Sequence, residues 1–259
     1  MRIVVGLEYR GAGFCGWQSQ PQRCGVQDAL ETAVSVIAGA KTGVTAAGRT
    51  DTGVHAAFQV VHFDTAVSRP LTAWVRGVNS HLPAGVAVLW AREVGEDFHA
   101  RFAAIQRGYR YVLLNHPVRP GLNQGLIGWH HRPLDADAMN RGAAYLIGQH
   151  DFSAFRAAEC QARSPVKTLH QLHIERHGDY LLCDFRADGF LHHMVRNLMG
   201  CLVQVGGGMQ PPGWVGEILD SRDRTLAAPT FDAAGLYLTH IRYPAHFALP
   251  ESSDRWLFA

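Results

Sequence analysis

Apolar positions follow two rhythms along this chain. From Val26 they recur at Ala29, Leu30, Ala33, Val34 and Ile37, offsets that trace one face of a helix. From Phe58 the period is two. Phe58, Val60 and His62 fall on one side, and Gln59, Val61 and Phe63 on the other, which predicts a strand. The β-rich run Met1 to Tyr9 predicts a strand, and "TGVTAAGR" a short one. Pro70 opens a helix through "PLTAWVRGVNSHL", where its missing N–H is harmless, and Pro83 ends it. "GVAVLWAREV" is a further strand, so the first half reads β-α-β-β-α-β.

The second half repeats this order. "GYRYVLLN" predicts a strand, and "DADAMNRGAAYLIG" a helix with Met139, Ala143, Leu146 and Ile147 on one side. "VKTLHQLHIERHGDYLLCDFRA" predicts a hairpin turning at Gly178–Asp179. "FLHHMVRNLMGCLVQVGGG" is a helix that stops at its glycines, "PPGWVGEILDSR" an inserted helix, and "GLYLTHIRY" the last strand. The expectation is an α+β fold of two tandem split-βαβ (ferredoxin-like) units. Their sheets would join into one broad, mainly antiparallel sheet, with helices on one face and a cleft on the other. The units are expected over residues 1–104 and 105–259. No Pro/Gly/Ser linker separates them, which favours a rigid joint. In the tail, Trp256 and Phe258 are expected to pack.

Composition narrows the class. Of 259 residues, 47% are hydrophobic and 18% charged, which suits a globular chain and argues against disorder. No apolar run approaches the roughly 20 residues of a membrane span. "MRIVVGLEYR" turns polar too early for a secretory signal. Five cysteines, an odd count without CxxC, predict reduced thiols in a cytoplasmic protein. The histidines show no HExxH spacing, so no metal site is expected. A net charge of +2 points only weakly to an anionic partner.

Two motifs tempt. "GAGFCG" matches GxGxxG after a strand, but "WQSQPQRCG" separates it from the next helix. A dinucleotide fold needs the helix to begin within the glycines, so a loop beside a site is the better reading. "DTG", Asp51 to Gly53, is also the aspartic-protease tripeptide. Such an enzyme needs a second aspartate, which only a homodimer would supply, and an all-β chain.

Asp51 itself poses the main question. Asp two residues before Gly is ordinary turn chemistry. Yet Arg49 lies two residues away, a cation that favours an ionised carboxylate, and the loop joins two strands. An ionised aspartate can act as a covalent nucleophile. "AGRTDTGVHA" resembles the active-site motif of the TruA-type tRNA pseudouridine synthases. "YRGAGFCGWQSQP", "FHARFAA", "RGYRYVL", "DFSAFR", "FLHHMVRNLMG", "DRTLAAPT" and "GLYL" are similar to family segments in the same order, across nearly the whole chain.

The resemblance implies that Asp51 is the nucleophile and that Tyr109 stacks on the target base. It implies that Arg196 pairs with the aspartate, that Arg49 helps displace the target nucleotide, and that Leu236 covers the base's other face. It also implies a tRNA substrate modified at uridines 38 to 40 of the anticodon arm, a homodimer, a cytoplasmic location, and no cofactor. Gly108 departs from the family pattern, where a larger, often basic, residue precedes the tyrosine. Taken alone, Tyr109 and Leu236 would be core residues and Arg196 a surface cation. Arg101, Arg107 and Arg110, with Arg156, Arg163 and Lys167, are candidates for a phosphate-binding groove or else solvated faces. The alternatives are a non-catalytic RNA-binding or RNA-folding protein of this fold and, more remotely, the protease.

Overall fold

The computed structural model describes residues 1–251; Trp256 and Phe258 lie outside the described residues. The chain forms two compact units, Met1–Gln106 with the chain from Tyr237 onward, and Arg107–Leu236. Pairing is mainly antiparallel in each, as the α+β expectation requires.

In the first unit, β1 (Arg2–Tyr9) lies between β4 (Val86–Val94) and β3 (His55–Asp64), antiparallel to both. The two-residue strand β2 (Thr45–Ala46) also pairs with β3. Strand β3 is buried on both faces, which places Gln59 and His62 in the interior. The returning strand, β10 (Leu236–Arg242), runs parallel to β3 with Tyr237 opposite His55.

Helix α1 (Val26–Ala38) buries Val26, Leu30, Ala33, Val34 and Ala38, the predicted stripe. Asp28 accepts a hydrogen bond from the Gly25 N–H at 3.0 Å, and Gly39 at φ +67° ends the helix. The helix predicted after Pro70 is present, but its centre, Ala73–Gly77, is a π-helical turn. It drives Trp74 into the core against Phe63, ring centroids 5.1 Å apart.

In the second unit, β5 (Gln106–Asn115) pairs with β9 (Tyr180–Ala187), β9 with β8 (Val166–His177), and β8 with β7 (Gly148–Asp151). The hairpin turns at Gly178–Asp179, with Gly178 at φ +58°. Strand β6 (Gly128–His130) lies parallel beside β5. Strands β6 and β7, of 3 and 4 residues, were not foreseen, being too short to set up an alternation. Helices α3 (Met194–Gly206) and α4 (Trp214–Ser221) match the predicted ones; α2 (Ala136–Ala144) is present but ends before Leu146 and Ile147, and Ile147, expected on its apolar side, is exposed. Helix α3 is buried almost throughout.

One expectation is corrected. Cys15 and Cys24 form a disulfide, with Cα atoms 5.3 Å apart. The loop between them folds back on itself, and Cys15 N–H donates to the Cys24 carbonyl at 2.9 Å. Cys160, Cys183 and Cys201 are free and buried.

Candidate active site

In the first unit the candidate chemistry sits on the loop between β2 and β3. Asp51 is half-buried and Arg49 exposed. The backbone around it is clamped from two sides. On one side Trp17 N–H donates to the Thr50 carbonyl at 3.0 Å. Gly16, at φ +88°, lies so close to the backbone of Thr50 and Asp51 that a side chain would collide with it. On the other side Gly11 presses on the Val54 carbonyl, again leaving no space for a Cβ. Its N–H donates to Nδ1 of buried His55 at 3.0 Å. In that bond Nδ1 is the acceptor. The His55 ring stacks on Tyr237 at 4.6 Å.

The glycines of "GAGFCG" thus have a different use from a dinucleotide loop. Gly11 and Gly16 let the N-terminal loop lie flat on the backbone that carries Asp51, whereas Gly13 is open to space. The helix follows only at Val26.

Beneath the loop is a buried polar group that periodicity did not reveal. Tyr9 and Thr50 share a 2.8 Å hydrogen bond, and Gln59 Nε2 donates to the Gly48 carbonyl at 2.8 Å. Burial pushes the Tyr9 phenol up to about 12, with its bond to Thr50 pulling the other way.

The second unit carries the other candidates. Tyr109 on β5 is 9% exposed and meets the edge of Phe190 at 5.1 Å. Arg196 on α3 donates from Nε to the Phe231 carbonyl at 2.9 Å, and the Phe231 N–H donates back to the Arg196 carbonyl at 3.1 Å. Phe231 packs its ring on Tyr111, two residues beyond Tyr109, at 5.6 Å. Gly235 approaches β5 so closely that Val112 N–H donates to its carbonyl at 2.8 Å. Leu236 follows, 4% exposed. The segment from Phe231 to Leu236 therefore ties the helix bearing Arg196 to the strand bearing Tyr109. Gly108 lies opposite Arg186 on β9.

His193, just before α3, takes φ +61°, unusual for a residue with a Cβ, and its ring lies 4.0 Å from that of His192. Among the arginines considered for phosphate, Arg110 forms a forked ion pair with Asp184 at 2.7 and 3.0 Å. Arg156 donates to the carbonyls of Cys160 and Ala162. These two side chains brace the fold.

Comparison with known proteins decides the class. Residues 7–103 and 143–244 match the family model described as tRNA pseudouridine synthase. The chain belongs to the tRNA pseudouridine synthase family. It is 81% identical over the full length of both chains to tRNA pseudouridine synthase A of Thiobacillus denitrificans. To the protein of that name from Methylobacillus flagellatus it is 59% identical, over 96% of each chain. To that of Dechloromonas aromatica it is 57% identical, over 99% of this chain and 98% of the relative. Membership of the pseudouridine synthase family makes the protein an isomerase, not a protease or a passive RNA binder. The family-matched stretches contain Arg49, Asp51, Arg196 and Leu236; Tyr109 falls between them. Among the described residues no helix is long and apolar enough to cross a membrane.

Proposed function

We propose that this enzyme converts uridines at positions 38 to 40 of the tRNA anticodon arm to pseudouridine, with Asp51 as nucleophile. In this isomerisation the N1–C1′ bond breaks, the uracil turns, and a C5–C1′ bond forms. The C5 proton leaves, and N1 ends protonated. Atoms and electrons balance within the nucleotide, so no carrier is consumed. The Asp51 carboxylate adds to the ribose or to the pyrimidine ring and is released when the base is rejoined.

The observation that carries this reading is the mounting of Asp51: a half-buried residue on a backbone clamped from both sides by close-packed glycine contacts. Such pre-organisation is what covalent catalysis requires of a nucleophile. The target must first leave its stack, at a cost of a few kcal/mol, least at a loop or weak stem end. Stacking on an aromatic ring returns about 1–3 kcal/mol. Tyr109 takes that role, Leu236 supplies an apolar face, and Arg49 and Arg196 engage the substrate and the carboxylate. The enzyme acts as a cytoplasmic homodimer.

The test is a site-resolved pseudouridine map of unmodified tRNA after incubation with the wild type and with Asp51→Asn. The wild type should modify the anticodon arm, and the variant should bind tRNA without modifying it. Equal modification by both would remove Asp51 from the mechanism.

A further inference from the structure

We propose that Tyr9 and Gln59 are positioning residues for Asp51, acting from beneath through Thr50 and Gly48. The inference rests on the reading of Asp51 as nucleophile and adds two side chains that touch neither the RNA nor the reacting atoms. Both are interior: Tyr9 is 4% exposed and Gln59 is fully buried. Strand β1 is locally irregular where it matters. Its register with β3 slips between Leu7 and Tyr9, so that Leu7 faces Gln59 while Tyr9 faces Ala56. A register slip of this kind re-aims a side chain, and here the phenol ends 2.8 Å from the Thr50 hydroxyl, adjacent to Asp51. The Gln59 amide donates to the Gly48 carbonyl at 2.8 Å. Gln59 Oε1 is occupied by the Val60 N–H at 3.1 Å. Gly48 and Thr50 flank Arg49, so two of the three residues leading into Asp51 are held from the interior, one by Gln59 and one by Tyr9. Satisfied interior hydrogen bonds of this kind select one loop geometry, because any shift strands a buried donor or acceptor.

The experiment measures kcat, KM and tRNA affinity for Tyr9→Phe, Thr50→Val, their double variant and Gln59→Met, with melting temperature alongside and Asp51→Asn as control. Misplacing a reacting group by about 1 Å can cost on the order of 100-fold in rate. Tyr9→Phe should therefore lower kcat about 10- to 100-fold, with KM and affinity within about twofold of wild type. Thr50→Val should fall by a similar factor, and the double variant no further, since both break one bond. Gln59→Met supplies the same kcat-against-KM comparison should Tyr9→Phe not fold. Unchanged kcat in the folded single variants, or fully additive losses in the double, would overturn the proposal. An inactive Asp51→Asn beside a fully active Tyr9→Phe sinks this inference alone. An active Asp51→Asn sinks the nucleophile reading beneath it.

Discussion

Asn197 Nδ2 donates to the Phe155 carbonyl across 2.8 Å, joining the first turn of α3 to the turn at Ser153–Phe155. The other end of the same amide is equally engaged: Oδ1 accepts from Thr230 Oγ1 at 2.7 Å and from Arg224 at 3.1 Å. Asn197 is fully buried. Three stretches that resemble the family, "DFSAFR", "FLHHMVRNLMG" and "DRTLAAPT", thus meet at one side chain.

Asn197→Leu keeps the branched shape and removes every bond, leaving a buried carbonyl, a hydroxyl and part of a guanidinium without their partner. Each stranded group costs about 1–3 kcal/mol, so a total loss of roughly 3 kcal/mol or more is expected. Denaturant unfolding of the variant should show the midpoint shifted at unchanged slope. A change below about 0.5 kcal/mol would mean that water replaces the amide.

The glycines of the N-terminal loop should divide sharply. Gly11 and Gly16 face the backbone of the Asp51 loop with no space for a methyl group, and Gly16 also has a positive φ. Gly13 has nothing nearby. Gly11→Ala and Gly16→Ala should each destabilise by about 1–3 kcal/mol and lower pseudouridine formation with it. Gly13→Ala should stay within about 0.5 kcal/mol of wild type in melting and unchanged in turnover. Equal behaviour of all three would deny the loop its clamping role.

Much of this fold was legible because its elements are amphipathic in the ordinary way. The stripe from Val26, the alternation around Val60 and the turn at Gly178 are local patterns, and each predicted its element. Asp51 stood out through its neighbours in "GRTDTG" and the family resemblance. What local pattern does not carry is the identity of a distant partner. Gln59 reads as one polar position in an alternating strand, and only the fold shows that it meets Gly48. Asn197 reads as a polar break in an apolar helix face. The π turn at Ala73–Gly77 leaves the helical pattern intact at this length, and β6 and β7 are too short to show a period.

The disulfide was illegible for a related reason: two cysteines nine positions apart carry no spacing signature. It closes a short ring around Gly16 and Trp17, both of which touch the Thr50 backbone. Chain-entropy reasoning gives a ring of this size about 2–3 kcal/mol of stabilisation. Thiol counting on denatured protein should find three free thiols without reductant, matching Cys160, Cys183 and Cys201, and five with it. The paired Cys15→Ser/Cys24→Ser variant should melt lower than the oxidised wild type. Five thiols in protein purified without reductant would show the bond absent in solution.

Stability should also fall on mild acidification, through His62. Its Nδ1 accepts the Ala100 N–H at 3.1 Å, which only a neutral ring can do. Burial, helped by the charges of His99 and Arg2 and opposed by Asp64, holds its pKa down to about 4, from an ordinary 6.5. Between those values the unfolded chain binds a proton that the folded one refuses, so stability drops as pH falls from about 6.5 towards 4 and is flat above that window. His99 and His130, also depressed, add to the same slope. The lowered carboxyls of Asp64 and Asp151 act only below 3.8, in a separate range. Urea midpoints measured from pH 7.5 to 4.0 should show the decline, and His62→Gln should flatten it. An undiminished slope in that variant would assign the proton uptake to the other histidines.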